Sequence, residues 1–273
     1  MTGTFDKGAR FRDLHRQTGA FVMANAWDAG SARVLAGLGF PALATSSAVC
    51  ANVLGRRDGC ITRDEALSHA RAIVDATDVP VSADLERGFG DDPDAVAETV
   101  RLAAATGLVG CSIEDATGRH DSPIEDIEIA AARVAAAASA ARGLGTPFTL
   151  TARAENFLHG RDDLDDTIRR LQAYERAGAD VLFAPGLPSL DAVRRVCAAV
   201  SAPVSFMVAI PKRSFTKAEL EAAGVKRISL ASSLYRAAMT AVFAAAREVI
   251  ESGTFTYVER AITSAEFGRF MRD

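Results

Sequence analysis

The feature that most constrains this chain is a repeated alternation of two kinds of segment. Eight short apolar or β-branched runs recur about every 25–35 residues, and longer amphipathic segments lie between them. The runs are AFVMANA (20–26), PALATSS (41–47), VPVSADL (79–85), LVGCSIE (108–114), PFTLTAR (147–153), ADVLFAP (179–185), PVSFMVA (203–209) and KRISLAS (226–232). Segments such as TRDEALSHARAIVDAT, DPDAVAETVRLAAATG, DLDDTIRRLQAYERAGA and SLDAVRRVCAAVS carry helical periodicity. Several end near a glycine placed to stop the helix: Gly107, Gly143, Gly178 and Gly224. Eight strand–helix units in about 250 residues predict a (β/α)8 barrel, a TIM barrel. A doubly wound dinucleotide fold is the rival, but no G-x-G-x-x-G follows any strand. RGFGDD has two of the glycines and then places acids where phosphates would sit.

Charge and cysteine usage exclude several functions. A net charge of −4 argues against nucleic acid or an anionic membrane as the main partner. The N-terminal stretch is polar and lacks the apolar core of a signal peptide. The alanine-rich 134–142 stretch is flanked by Arg133 and Arg142 and reads as a helix, not a membrane span. Cys50, Cys60, Cys111 and Cys197 are widely spaced, with no C-x-x-C, which points to a reducing, cytoplasmic setting.

In barrels of this kind the chemistry sits at the C-terminal ends of the strands. The residues there include Asn25, Trp27 and Asp28, then Ser46, Ser47 and Ala48, then Asp84 and Glu86, then Glu114 and Asp115, then Arg153 and Glu155. A carboxylate ending a buried strand is costly unless it is solvated, paired or bound to a cation. Acids from two adjacent strands suit Mg²⁺, which takes a few carboxylates and keeps waters for a substrate oxygen. None of the four histidines has zinc-ligand spacing. Arg153 reads either as the counter-ion of Glu114 or as a bidentate site for a substrate carboxylate or phosphonate. Small residues at 46–48 let backbone amides approach an anionic oxygen.

ANAWDAGSARVLAGLGFPALATSSA, ADLERGFGDD, SIEDA and TARAENFLHG, in that order, resemble the isocitrate lyase/phosphoenolpyruvate mutase superfamily. The resemblance implies one barrel domain over 1–273, with the helical segment 233–273 swapped onto a partner subunit in a homodimer or homotetramer. It implies a small carboxylate or phosphonate substrate bound with Mg²⁺ as cofactor. By the same resemblance Ser46, Ser47 and Ala48 would hold the substrate carboxylate, with Trp27 beside them. Asp84, Glu86 and Glu114 would be the metal-side acids, Asp58 would lie near the metal's waters, and Arg153 would bind substrate. Relatives of the lyase type carry a catalytic cysteine after the fourth strand. Here that stretch is ATGRHDSPIEDIE, where His120 is the one side chain that titrates near neutrality.

The expected activity is cleavage of a C–C bond in a small 2-oxo or 2-hydroxy acid through an enolate. The alternatives are a P–C bond mutase or hydrolase acting on phosphonopyruvate-like substrates, and a non-catalytic ligand-binding barrel. A Schiff-base aldolase is disfavoured, because only Lys212 lies near a strand end. The apolar residues Phe255, Tyr257, Ile262, Phe267 and Phe270 predict a C-terminal segment packed against something, with a neighbouring subunit as the expected partner.

Overall fold

The computed structural model describes residues 3–272. All eight expected strands form, each shorter than its apolar run: β1 Phe21–Asn25, β2 Leu43–Ala44, β3 Val81–Asp84, β4 Gly110–Glu114, β5 Thr149–Arg153, β6 Val181–Phe183, β7 Val204–Met207 and β8 Arg227–Ser229. They pair in chain order and β8 closes on β1, giving an all-parallel barrel. The outer ends of the runs serve as connections, so strand length follows the hydrogen-bonded ladder and not hydrophobicity.

The flanking helices begin where the sequence offers caps. Thr62 and Glu65 form a capping box at Arg63–Ala76, and Asp92 accepts from the Ala95 amide with Pro93 in the first turn of Pro93–Ala105. Asp163 and Ser189 cap Leu164–Arg176 and Leu190–Ala199 in the same way. Gly107, Gly178 and Gly224 adopt φ of 90°, 101° and 99°, the left-handed stop expected of them. Gly143 does not: it keeps a right-handed φ of −76°, and Gly145 takes the left-handed position at 69°.

The main core lies between strands and helices. Leu43, Ile73, Val100, Ile113, Leu150, Leu171, Leu182 and Val193 are buried there. The helix Thr4–Leu14 closes the N-terminal end of the barrel with Phe11, which packs edge-on against Phe21 at 6.3 Å between centroids. Gly110 is required at this contact, since a Cβ would lie 2.7 Å from the Thr149 carbonyl oxygen and 3.0 Å from the Phe11 ring.

The lumen above this plug is unusually polar. Barrels of this fold fill the lumen with branched apolar side chains. Here Asn25, Ser82, Ser112, Arg227 and Ser229 line it.

The helix Ser233–Arg247 buries none of its residues, and Val242, Phe243, Ile250, Phe255, Val258 and Ile262 are exposed. Near its end the chain returns to its own barrel. Phe270 sits over Gly37, where a Cβ would come within 2.5 Å of the ring, and Arg272 pairs with Asp78 at 3.0 Å. Among the described residues no helix is long and apolar enough to cross a membrane.

Candidate active site

A cavity of about 230 Å³ opens at the C-terminal end of the barrel. Ser46, Ser47, Ala48 and Asp58 from beyond the second strand, Asp84 from the third and Arg153 from the fifth line it, whereas Glu86 and Glu114 do not. A larger cavity of about 600 Å³ lies among Arg12, His15, Pro147 and Asp180, around the opposite end, and holds none of these groups.

Arg153 is the hub. Its Nη1 meets Asp84 Oδ1 at 2.9 Å and Glu114 Oε2 at 3.2 Å, and its Nε meets Glu155 Oε1 at 2.8 Å. The guanidinium lies over the Phe183 ring, 5.4 Å from its centroid. Burial by itself would lower the Arg153 pKa, but Glu155, Glu114 and Asp84 together raise it well above the usual value, so it stays charged. The cross-strand register sets this pairing, because Glu114 on β4 lies directly beside Arg153 on β5.

Asp84 ends β3 with both carboxylate oxygens engaged. Oδ2 accepts from the Ser47 amide at 3.2 Å and the Ser47 hydroxyl at 3.1 Å, while Oδ1 accepts from Ser112 Oγ at 3.3 Å. Burial opposes ionisation, yet Arg153 and the Ser47 donors hold its pKa below the ordinary value. The amide at Ser47 is therefore turned to Asp84, which ties the 46–48 turn to the acid it faces.

Glu86 follows in a left-handed conformation at φ 49°, rare for a residue with a Cβ. Its Oε1 is buried without a partner, and burial with the Asp84 and Asp58 charges lifts its pKa to about 7. The turn that holds it there depends on glycine: a Cβ on Gly88 would meet Val96 at 2.9 Å, and one on Gly90 would meet Ala95 at 2.3 Å. Arg133, buried on the helix Ile127–Arg142, donates to the carbonyls of Arg87 and Gly90 and clamps the turn.

Asp84, Glu114 and Glu155 thus share one guanidinium, with Asp58 and Glu86 close enough to feel the charges of this cluster. Burial foremost, with mutual repulsion, raises the pKa of Asp58, Glu114 and Glu155 despite Arg153. A surplus of buried negative charge with an orphaned carboxylate oxygen fits a divalent cation. Among the described residues no three Asp, Glu, His or Cys side chains converge on one metal position. Arg153 Nη1 holds Asp84 and Glu114 together, but Glu86 is not among its partners, so the expected triad of Asp84, Glu86 and Glu114 does not meet at one point. That donor set suits Mg²⁺, which needs only one or two direct carboxylates and keeps its waters.

Other expected residues stand elsewhere. His120 is exposed and outside the cavity lining, as is the whole 116–126 loop, which folds on itself through an Ala116–Ile124 bridge and a Thr117-to-Pro123 hydrogen bond. Trp27 is half-buried, packs edge-on against Tyr235 at 5.7 Å and does not line the cavity. Lys212 is exposed and outside it too. Asp115, next to Glu114, points the other way: its Oδ2 accepts from Tyr174 at 2.6 Å and Arg170 at 3.0 Å, and its Oδ1 accepts from the Glu155 amide at 2.8 Å. Arg227 was not expected at all, because its position at the start of β8 hides that its side chain lines the same cavity.

The phosphoenolpyruvate phosphomutase family model matches residues 11–250. The chain belongs to that family. Within it, a Burkholderia cenocepacia protein of solved structure, assigned only provisionally as a lyase/mutase, is 51% identical with a TM-score of 0.96, over 98% of this chain and 96% of its own. The oxaloacetate decarboxylase of Bradyrhizobium diazoefficiens is 32% identical over 71% of this chain and 68% of its own. The 2-methylisocitrate lyase of Escherichia coli is 32% identical over 69% and 66%. Membership in the isocitrate lyase/phosphoenolpyruvate mutase superfamily makes the expectation of an enzyme, as against a bare binding barrel, the supported one.

Proposed function

We propose that this family member is a Mg²⁺-dependent, cytoplasmic enzyme that cleaves a C–C bond in a small 2-oxo or 2-hydroxy acid through an enolate. The observation that carries the reading is the surplus of carboxylates around one fixed arginine at the mouth of a cavity of about 230 Å³. Four free cysteines are consistent with a reducing compartment.

Asp84 would anchor the cation, with Glu86 and Asp58 holding its waters and Glu114 shared with Arg153. Bound there, the cation supplies Lewis acidity toward the substrate's carboxylate and oxo oxygens. The chain's own residues do the rest. Ser46 and Ala48 seat the substrate carboxylate, while Ser47 holds Asp84 at the edge of that seat. Arg153, held by three acids and the Phe183 face, presents a fixed positive charge to the enolate and needs no reorganisation as charge develops. The small lumen residues leave room for the leaving fragment.

The similarity to an oxaloacetate decarboxylase and a methylisocitrate lyase favours C–C over P–C cleavage. The match to the phosphomutase model keeps P–C chemistry on phosphonopyruvate as the second reading. A panel of 2-oxo and 2-hydroxy acids, followed by product release, tests the first, with phosphorus NMR on phosphonopyruvate for the second. Turnover of a C–C substrate that vanishes with EDTA and returns with Mg²⁺ is expected. Turnover of phosphonopyruvate alone, or C–C cleavage indifferent to EDTA, contradicts it.

A further inference from the structure

A charge buried without a counter-charge is costly, so such residues mark places where an anion belongs. Arg227 is one. It is 3% exposed, its Nε donates to Ser205 Oγ at 3.0 Å, and its Nη1 is buried without a hydrogen-bond partner. Among the described residues it forms no ion pair with any acid. The charge nearest in effect is another cation: burial first, then Arg153, push its pKa down to about 9. Thr151, 1% exposed and two residues before Arg153 on β5, also has a hydroxyl without a partner.

Both the rim and Arg227 line one cavity, together with Ser82, Ser112 and Ser229. Hydroxyls stand where branched apolar residues would close the lumen, so the space runs from the rim into the barrel. At about 230 Å³ it greatly exceeds a single water, whose share of liquid volume is about 30 Å³.

We propose that Arg227 is a substrate-binding residue for a second anionic group. The substrate is then a small dianion lying along the barrel axis, one carboxylate at the rim by Arg153 and the other acidic group down the lumen at Arg227. This rests on the rim reading given under Proposed function, and it adds what that reading lacks, a recognition element for the far end of the substrate. A neutral or monoanionic 2-oxo acid would leave Arg227 unpaired and bind more weakly.

Calorimetry with Mg²⁺ present, using oxalate, malonate, succinate and glutarate on wild type, Arg227→Met and Arg227→Lys, tests the assignment. Oxalate, whose two carboxyl carbons are directly bonded, serves as the control for binding at the rim alone. Succinate or glutarate should lose about tenfold or more in affinity in Arg227→Met and recover part of it in Arg227→Lys, where a buried hydrogen-bonded ionic contact is lost and then partly restored. Oxalate affinity should stay within about twofold in both variants. The thermal midpoint of Arg227→Met should hold or rise, since an unpaired charge is removed. Equal losses for oxalate and the longer acids with a fallen midpoint, or unchanged affinity for all four, would overturn the proposal. So would an Arg227→Met chain that fails to fold. Wild type that binds oxalate but no longer diacid refutes Arg227 and spares the rim site. Arg227-dependent binding of longer diacids without oxalate binding does the reverse.

Discussion

Glu114 and Asp115 are neighbours in sequence and opposites in the molecule. Glu114 faces the site and meets Arg153, while Asp115 faces the helices and is held by Tyr174 and Arg170. A strand alternates its faces, so the sequence allowed one of the two at the site; both being acids, the pattern alone did not choose, and only the family resemblance picked Glu114. Arg153 and Asp84 were legible because each is a charged residue at the end of an apolar run, where a strand gives way to the catalytic rim. Arg227 was not, because it opens β8 at the end of the barrel away from the rim, where this fold is not expected to place chemistry. Arg153→Lys, which keeps charge but loses the fork, should lower kcat by about 10²–10³-fold, the usual cost of one preorganised donor. Steady-state kinetics checks this, and a loss confined to KM would reduce Arg153 to uniform binding. His120→Gln should leave kcat/KM within about twofold across pH, because the ring stands in solvent away from the cavity. Loss of the acidic limb in that variant would return His120 to the chemistry.

At the scale of elements, the site is held from behind. Asp115 accepts from the Glu155 amide, Tyr174 and Arg170, and Asp166 bonds both Arg170 and Asn156, so the helix Leu164–Arg176 fixes the end of β5. Tyr174→Phe leaves a buried Asp115 oxygen with one donor fewer and should cost about 1–3 kcal/mol in denaturant unfolding. The helix Thr4–Leu14 carries a second consequence. His15, just past its end, is 5% exposed; its Nδ1 pairs with the Phe11 carbonyl and its Nε2 has no partner. Burial, then the Arg227 charge, lowers its pKa from 6.5 to about 3. The unfolded chain therefore binds a proton that the folded chain refuses between those values. The stability from this residue is whole above about pH 6.5 and falls as pH drops toward 3, by up to about 1.4 kcal/mol per unit. Denaturation of wild type and His15→Leu at pH 7.5 and 5.0 should show the wild type losing more on acidification. Equal losses would contradict the assignment.

For the whole molecule, the barrel was legible because eight runs and eight intervals leave few other closures, and the structure keeps all eight in order. The apolar C-terminal residues were expected to pack on a neighbour. In the described chain Phe270 returns to its own Gly37, whereas Phe243, Ile250, Phe255 and Val258 stand exposed. An exposed apolar surface of this kind is unusual for a monomer, so light scattering should find a dimer or tetramer, and a monodisperse monomer would contradict it. The central claim, however, is that the carboxylate surplus around Arg153 is a cation site that receives a small oxo acid. The most direct measurement is calorimetric titration of oxalate into wild type and Asp84→Asn, with Mg²⁺ and with EDTA. The account predicts binding by wild type only when Mg²⁺ is present, and loss of that binding in an Asp84→Asn variant with an unchanged circular dichroism spectrum. Oxalate binding of equal affinity in EDTA, or undiminished in Asp84→Asn, would contradict it.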